Sequence, residues 1–216
     1  MRIRYGKASL VAAVLLALGT NAHAMTLWDQ STISPAGPAI AASNSPGFGG
    51  LFVHSVDDVT VPASGWVVTK ITQYYSAFEP NWAGGVTQGF INIQPKTGSL
   101  PTSNPVTVQS PMSCAIDAAQ SAAVGQTVFA VTATVNISLA AGDYWIGLTP
   151  TKGATINGVN LMWPSAQVGD PVANFQSTVG PWKNNYAGWD GAFKVEGDLP
   201  VPTQNSTWGN LKAHYH

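Results

Sequence analysis

The chain has 216 residues, of which 9% are charged and 45% hydrophobic, with ten acidic groups, nine lysines and arginines and one cysteine. A single cysteine excludes an intrachain disulfide, and so sparse a charge without a basic stripe argues against a nucleic-acid partner. What remains is a chain long enough to bury a core without covalent help.

At the start, Met-Arg-Ile-Arg-Tyr-Gly-Lys is followed by the apolar run Ala8 to Leu18 and then by Asn21-Ala22-His23-Ala24. A basic leader, a short apolar stretch and an Ala-x-Ala ending predict a secretory signal peptide over residues 1–24, cleaved after Ala24. The run is too short to span a bilayer, no later stretch approaches twenty apolar residues, and Met25 is not a lipid-anchoring cysteine. The expectation is an exported chain with no membrane span. Cleavage takes Arg2, Arg4 and Lys7, leaving six lysines, no arginine and a formal net charge of −4. The guanidinium fork that grips phosphates and base edges is then missing altogether.

Residues 25–197 read as strands punctuated by glycine, proline and asparagine, without long helical periodicity. Strands are predicted at Asp58–Val61, Trp66–Tyr74, Gly89–Ile93 and Val106–Ser110, then at Thr127–Leu139, Leu161–Trp163 and Trp189–Glu196. Pro62, Pro95, Pro105, Pro111 and Pro164 stand at strand edges, where a missing N–H is tolerated. Ala115–Val124 reads equally as a short helix or a loop. In Thr127–Leu139, Phe129, Val131, Ala133, Val135, Ile137 and Leu139 share one face, the alternation of a half-buried strand. Ala140-Ala141-Gly142-Asp143 then turns the chain, predicting a β-hairpin with Tyr144, Ile146 and Leu148. Tyr144 and Trp145 must take opposite faces, so the two rings form no continuous stacking surface and at least one is core. Many short strands with turn signals between them predict an all-β fold, an antiparallel β-sandwich of jelly-roll type.

Residues 198–216 are read as a linker and tail. Asp198 to Ser206 is the linker; beyond it Trp208, Leu211 and Tyr215 fall on one face of a short helix that would be marginal in isolation.

Four local patterns occur in one order. They are Leu27-Trp-Asp-Gln30, Val56-Asp-Asp-Val-Thr-Val-Pro-Ala-Ser-Gly-Trp66, Leu139-Ala-Ala-Gly-Asp-Tyr-Trp-Ile-Gly-Leu148, and Trp182 followed by Gly188-Trp-Asp-Gly-Ala-Phe-Lys-Val-Glu-Gly197. Over residues 27–197 the set resembles a β-sandwich module of secreted bacterial proteins, often found with PEP-type sorting signals. There the patterns read roughly ADDFTVPAGGW, GTYWIGL and DLAFRIEG. The resemblance implies an extracellular β-sandwich and names no ligand. Val201-Pro-Thr-Gln stands where the sorting signal would need Val-Pro-Glu-Pro, so anchoring by that route is not expected.

Catalysis finds little foothold. His54 is the only histidine of the domain, there is no Gly-x-Ser-x-Gly elbow, and no spacing singles out a carboxylate pair, so a non-enzyme is expected and a hydrolase is the lesser alternative. Cys114 is read as a small buried hydrophobe. Gly47-Phe-Gly-Gly50 lacks the Gly-Lys-Ser/Thr of a phosphate cradle and is read as a loop. No cofactor is expected, with calcium as the one candidate: Asp57, Asp58 and Asp190 are acids that could cluster at a sandwich edge and offer oxygens to a hard cation. Against that, aspartates commonly cap turns.

Of eight tryptophans, Trp28, Trp66, Trp145 and Trp182 fall in the motifs and are expected in the core. Trp182 also stands in one of two loop segments that combine aromatic rings with amides, a carboxylate and glycines: Glu79-Pro-Asn-Trp-Ala-Gly-Gly85 and Gly180–Trp189. Rings stack on the apolar faces of sugars while amides and carboxylates read hydroxyls. The candidate ligand residues are therefore Glu79, Asn81, Trp82, Trp182, Asn184, Asn185 and Tyr186. The expectation is a secreted, non-catalytic binding module with polysaccharide as its partner. The alternative is a self-associating matrix component, drawing on the sparse charge and the tail's apolar face.

Overall fold

The computed structural model describes residues 24–45, 51–76, 85–105, 108–151, 161–176 and 180–200. The predicted tail, the Gly47–Gly50 loop and the Glu79–Trp82 segment lie outside the described residues.

The strands run in chain order as β1 (Met25–Gln30), β2 (Ile40–Ala41), β3 (Ser43–Ser45), β4 (Leu51–Val61), β5 (Trp66–Ser76) and β6 (Gln88–Pro95). Two short strands, β7 (Ser110–Pro111) and β8 (Ser113–Ile116), precede the helix α1 (Ala118–Val124). After it come β9 (Phe129–Leu139), β10 (Gly142–Thr151), β11 (Leu161–Met162), β12 (Pro164–Ala166), β13 (Ala173–Gln176), β14 (Gly180–Lys183), β15 (Trp189–Gly191) and β16 (Phe193–Asp198). The fold is all-β, two seven-stranded sheets facing each other, with β12 and β15 forming a small ribbon. In the first sheet β5 is central, pairing with β16 and β11 along one edge and β9 along the other, while β1 flanks β16 and β8 flanks β9. The second sheet runs β14, β13, β4, β3, β10, β6, β7, with β4 also paired directly to β10. Among the described residues every pairing is antiparallel except a single parallel bridge between Thr151 and Asn44.

The core lies between the sheets. Val59, Val61, Ile146 and Leu148 of the second sheet meet Val68, Ile71, Tyr75, Phe129, Val131, Phe193 and Val195 of the first. Each such fully buried side chain contributes about 1.5–3 kcal/mol.

One place in this core is polar by necessity. β4 accompanies β10 only from Gly142 to Ile146, whereas β6 pairs with it from Tyr144 to Thr151. At Gly147 the two backbones cross so closely that a Cβ would overlap the Ser55 carbonyl oxygen, which only glycine avoids. Past that crossing, the Leu148 N–H donates to Gln73 Oε1 (2.7 Å) and the Leu148 carbonyl accepts from the Tyr75 hydroxyl (2.7 Å). Both side chains come from β5 in the opposite sheet. A buried peptide group left unpaired would cost several kcal/mol, so two side chains of the facing sheet stand in for a strand.

The structure corrects several expectations. Thr127–Leu139 and Tyr144–Leu148 do not make a hairpin: β9 pairs with β5 and β8, β10 with β4 and β6. Both strands bury an apolar face, and the turn places those faces across the core from each other instead of side by side. The strand expected over Trp189–Glu196 breaks at Ala192, whose N–H and carbonyl bond Trp163 and Tyr74, into β15 and β16. Val108 and Gln109 carry no strand, and Val106 and Thr107 lie outside the described residues. The undecided Ala115–Val124 segment splits: Ala115 and Ile116 belong to β8, and α1 begins after Asp117, which caps it by accepting from Gln120 N. Gly125 ends it in the left-handed region at φ 70°. Cys114 is half-buried against the core, and burial raises its thiol to about 12, so it is no ready nucleophile.

Replacing Gln73 with leucine should leave the Leu148 N–H buried without a partner and destabilise the fold by about 1–3 kcal/mol. Tyr75→Phe should cost about 1 kcal/mol by the same reasoning. Urea unfolding checks both; a variant as stable as the parent would show that the inter-sheet bonds contribute nothing.

Candidate functional site

Of the residues expected to hold a ligand, Trp182 is the clearest correction. It lies on β14 at 5% exposure, packed with Val56, Trp145 and Ala173, with its ring centroid 5.6 Å from that of Phe175. Its indole N–H donates to the Ser103 carbonyl (2.8 Å). A ring so enclosed offers no face to a sugar. Trp145 is likewise fully buried on the outer side of β10, and Tyr144 packs toward the inter-sheet core, so both rings of the pair serve the interior.

Asn184 is exposed, while Asn185 and Tyr186 line a pocket of about 170 Å³ beside the β13–β14 edge. Its other walls are Ala41, Val53, Asn174, Gln176, Gly180, Pro181 and Lys183. Three amides, an ammonium and a phenol ring thus surround one small space. Tyr186 is fixed by its hydroxyl, which accepts from Ala41 N (3.2 Å), and by its contact with the core. Asn174, 5% exposed, donates through Nδ2 to the Ala41 carbonyl (3.2 Å) and to Ser55 Oγ (2.5 Å). Those two acceptors orient the amide, and its Oδ1 has no partner. Asn174, Gln176 and Lys183 were not singled out in the sequence. Ala-Asn-Phe-Gln is a four-residue strand, too short for periodicity to reveal.

The three aspartates feel one another's charge but do not form one cluster. Asp57 points toward the inter-sheet space, where Oδ2 accepts from Gln30 Nε2 (3.1 Å) and Gly191 N (2.7 Å) and Oδ1 from Asp58 N (2.9 Å). Asp190 is fully buried, with Oδ2 accepting from Val168 N and Oδ1 without a partner. Asp58 takes the opposite face of β4 from Asp57 and pairs with Lys96 Nζ (2.5 Å), which also reaches Asp170 (2.9 Å) and lies 5.2 Å from the Trp145 ring centroid. Among the described residues no group of three or more His, Cys, Asp or Glu is arranged to hold a metal ion. The positive charge at Asp58 is the protein's own lysine. Burial, and next the neighbouring Asp190, raise Asp57 well above the usual carboxylate range, and burial pushes Asp190 up to about 7.

His54 is fully buried on the outer face of β4, with Phe52 and Phe90 edge-on to its ring. Its Nδ1 lies 2.9 Å from Asn92 Nδ2 and 3.1 Å from Thr149 Oγ1. Burial lowers its pKa to about 3, far from the value near 7 that suits a general base.

Two outcomes follow. Trp182→Ala should cost about 3–5 kcal/mol of stability, measured by urea unfolding, because it empties a filled site; a near-neutral change would contradict the packing. A carboxyl whose folded pKa is raised contributes stability at acid pH that is lost as pH rises through that pKa, here about 7 for Asp190. His54 acts oppositely: with a folded pKa of about 3 it costs stability as pH falls below its unfolded value. Relative to the parent, Asp190→Asn should therefore gain stability between about pH 4 and about pH 7, by at most about 1.4 kcal/mol per pH unit. Parallel pH–stability curves for parent and variant would refute the assignment.

The chain matches no family model, no curated protein and no solved structure, so its function has to be read from the sites themselves.

Proposed function

We propose that the protein is an exported, non-catalytic binding module whose ligand is a polysaccharide, held by one sugar unit in the pocket beside β13 and β14. The observation that carries this reading is the pocket's chemistry: Asn174, Gln176 and Asn185 together with Lys183 and the Tyr186 ring in about 170 Å³. Amides donate and accept at once, which matches the paired donor and acceptor of a sugar hydroxyl, and a tyrosine ring offers an apolar edge. The volume is below that of pockets for drug-sized molecules, which suits a subsite for a single residue of a longer chain. Export rests on the signal-like leader, and the absence of a catalytic role on the buried, weakly basic His54.

A glycan-array screen of the 25–216 chain, with and without calcium, tests the reading. Selective binding is expected, and Asn185→Ala combined with Lys183→Ala should weaken it at least about tenfold, the loss of one or two hydrogen bonds to a ligand. Both side chains are exposed, so the thermal transition should not move. A blank array from folded protein, or binding indifferent to both substitutions, would overturn the proposal.

A further inference from the structure

Where β6 and β9 run along the margin of the sandwich, the two sheets part around a cleft of about 540 Å³ lined by Ile91, Ile93, Val135, Ile137, Leu139 and Tyr144, with no charged residue among its walls. Among the described residues no strand pairs with either margin along most of its length. β7 pairs only with Gln88 and Gly89 of β6, and β8 only with Phe129 to Thr132 of β9. Among the described residues, the outer edges of Phe90–Pro95 and Ala133–Leu139 therefore meet no strand. Ile91, Ile93, Val135 and Ile137 are only half-buried in consequence, and apolar surface facing water costs about 25 cal/mol per Å².

The domain's last strand delivers the chain to one end of this cleft. Beside Gly65, a single point lies 2.8 Å from the Leu139 carbonyl oxygen and 3.6 Å from Pro200 Cγ, so residue 200 sits next to a residue that lines the cleft. Residues 201–216 follow, with Trp208, Leu211 and Tyr215 as their large apolar side chains and no acidic group.

We propose that residues 207–215 dock into this cleft in cis, presenting Trp208 and Leu211 to the isoleucines and valines of β6 and β9. The tether fits. The eight residues from 200 to 208 have a root-mean-square reach of about 15 Å, and the cleft from Leu139 to Val135 is about 14 Å long. A tether matched to its span gives an effective concentration in the millimolar range, which favours the chain's own segment over a second copy. An uncharged cleft sets no like charge against Lys212, which a helical segment places beside Trp208 at the margin of its apolar face, where the four-carbon stem can lie along apolar surface with the ammonium in water.

Hydrogen–deuterium exchange on the full 25–216 chain tests this. In the unaltered protein, amides of residues 207–215 should exchange at least tenfold more slowly than in a free peptide of the same sequence. In the Trp208→Ala, Leu211→Ala double variant that protection should vanish, amides of residues 90–95 and 133–139 should exchange faster, and binding of an apolar fluorescent dye should rise. Amides of β16 should be unchanged, reporting an intact fold. A tail that exchanges like the free peptide in the unaltered protein overturns the proposal. So does a dimer in sedimentation that the double variant dissolves, because the tail would then be held by a second copy.

Discussion

The two sheets are held in register by a polar contact inside an apolar core: the peptide group of Leu148 is completed by Gln73 and Tyr75 from the sheet across from it. Hydrophobic burial sets how strongly the sheets attract but says little about how they slide. Two directional bonds to one residue fix both position and angle. Gly147 permits this geometry: there β4 and β10 approach more closely than any side chain would allow, and beyond it the same edge of β4 pairs with β3.

A second tie works from β4, two residues beyond the Ser55 crossing. Asp57, buried in the core face of β4, collects Gln30 from β1 and the Gly191 backbone from β15, so one carboxyl joins three elements. Its neighbour Asp58, one residue on and on the opposite face, is bound instead by Lys96. Adjacent aspartates thus do different jobs because a strand sends successive side chains to opposite sides. The pair reads as a ligand cluster only when that alternation is set aside.

This contrast marks what was legible in the sequence. β9 is legible through its alternation, and the sandwich through the number of short strands set between turn signals. Pairing is not, since alternation gives a strand's buried face but not its neighbour, which is why the turn at Ala140–Asp143 was read as a hairpin when it carries the chain from one sheet to the other. At the candidate site, Asn185 and Tyr186 were visible because they stand in a glycine-bounded, polar stretch. Asn174, Gln176 and Lys183 come from strands too short to show a period. Trp182 belonged to the same stretch, but its neighbours across the sheet, Phe175 and Trp145, claim it for the interior. Local sequence gave the residue's chemistry; only tertiary packing decided whether the ring was free.

The order of strands in the first sheet also governs how the molecule comes to be folded. β16, the last strand, lies between β1, the first, and β5. Met25 opposes Gly197 and Lys70 opposes Glu196, so this sheet cannot close until almost the whole domain is present. Loop-closure entropy must be met before those contacts form, which makes assembly slow relative to folds built from neighbouring strands. A chain emerging from its N-terminus therefore cannot join β1 to β5 until residues 193–198 are available.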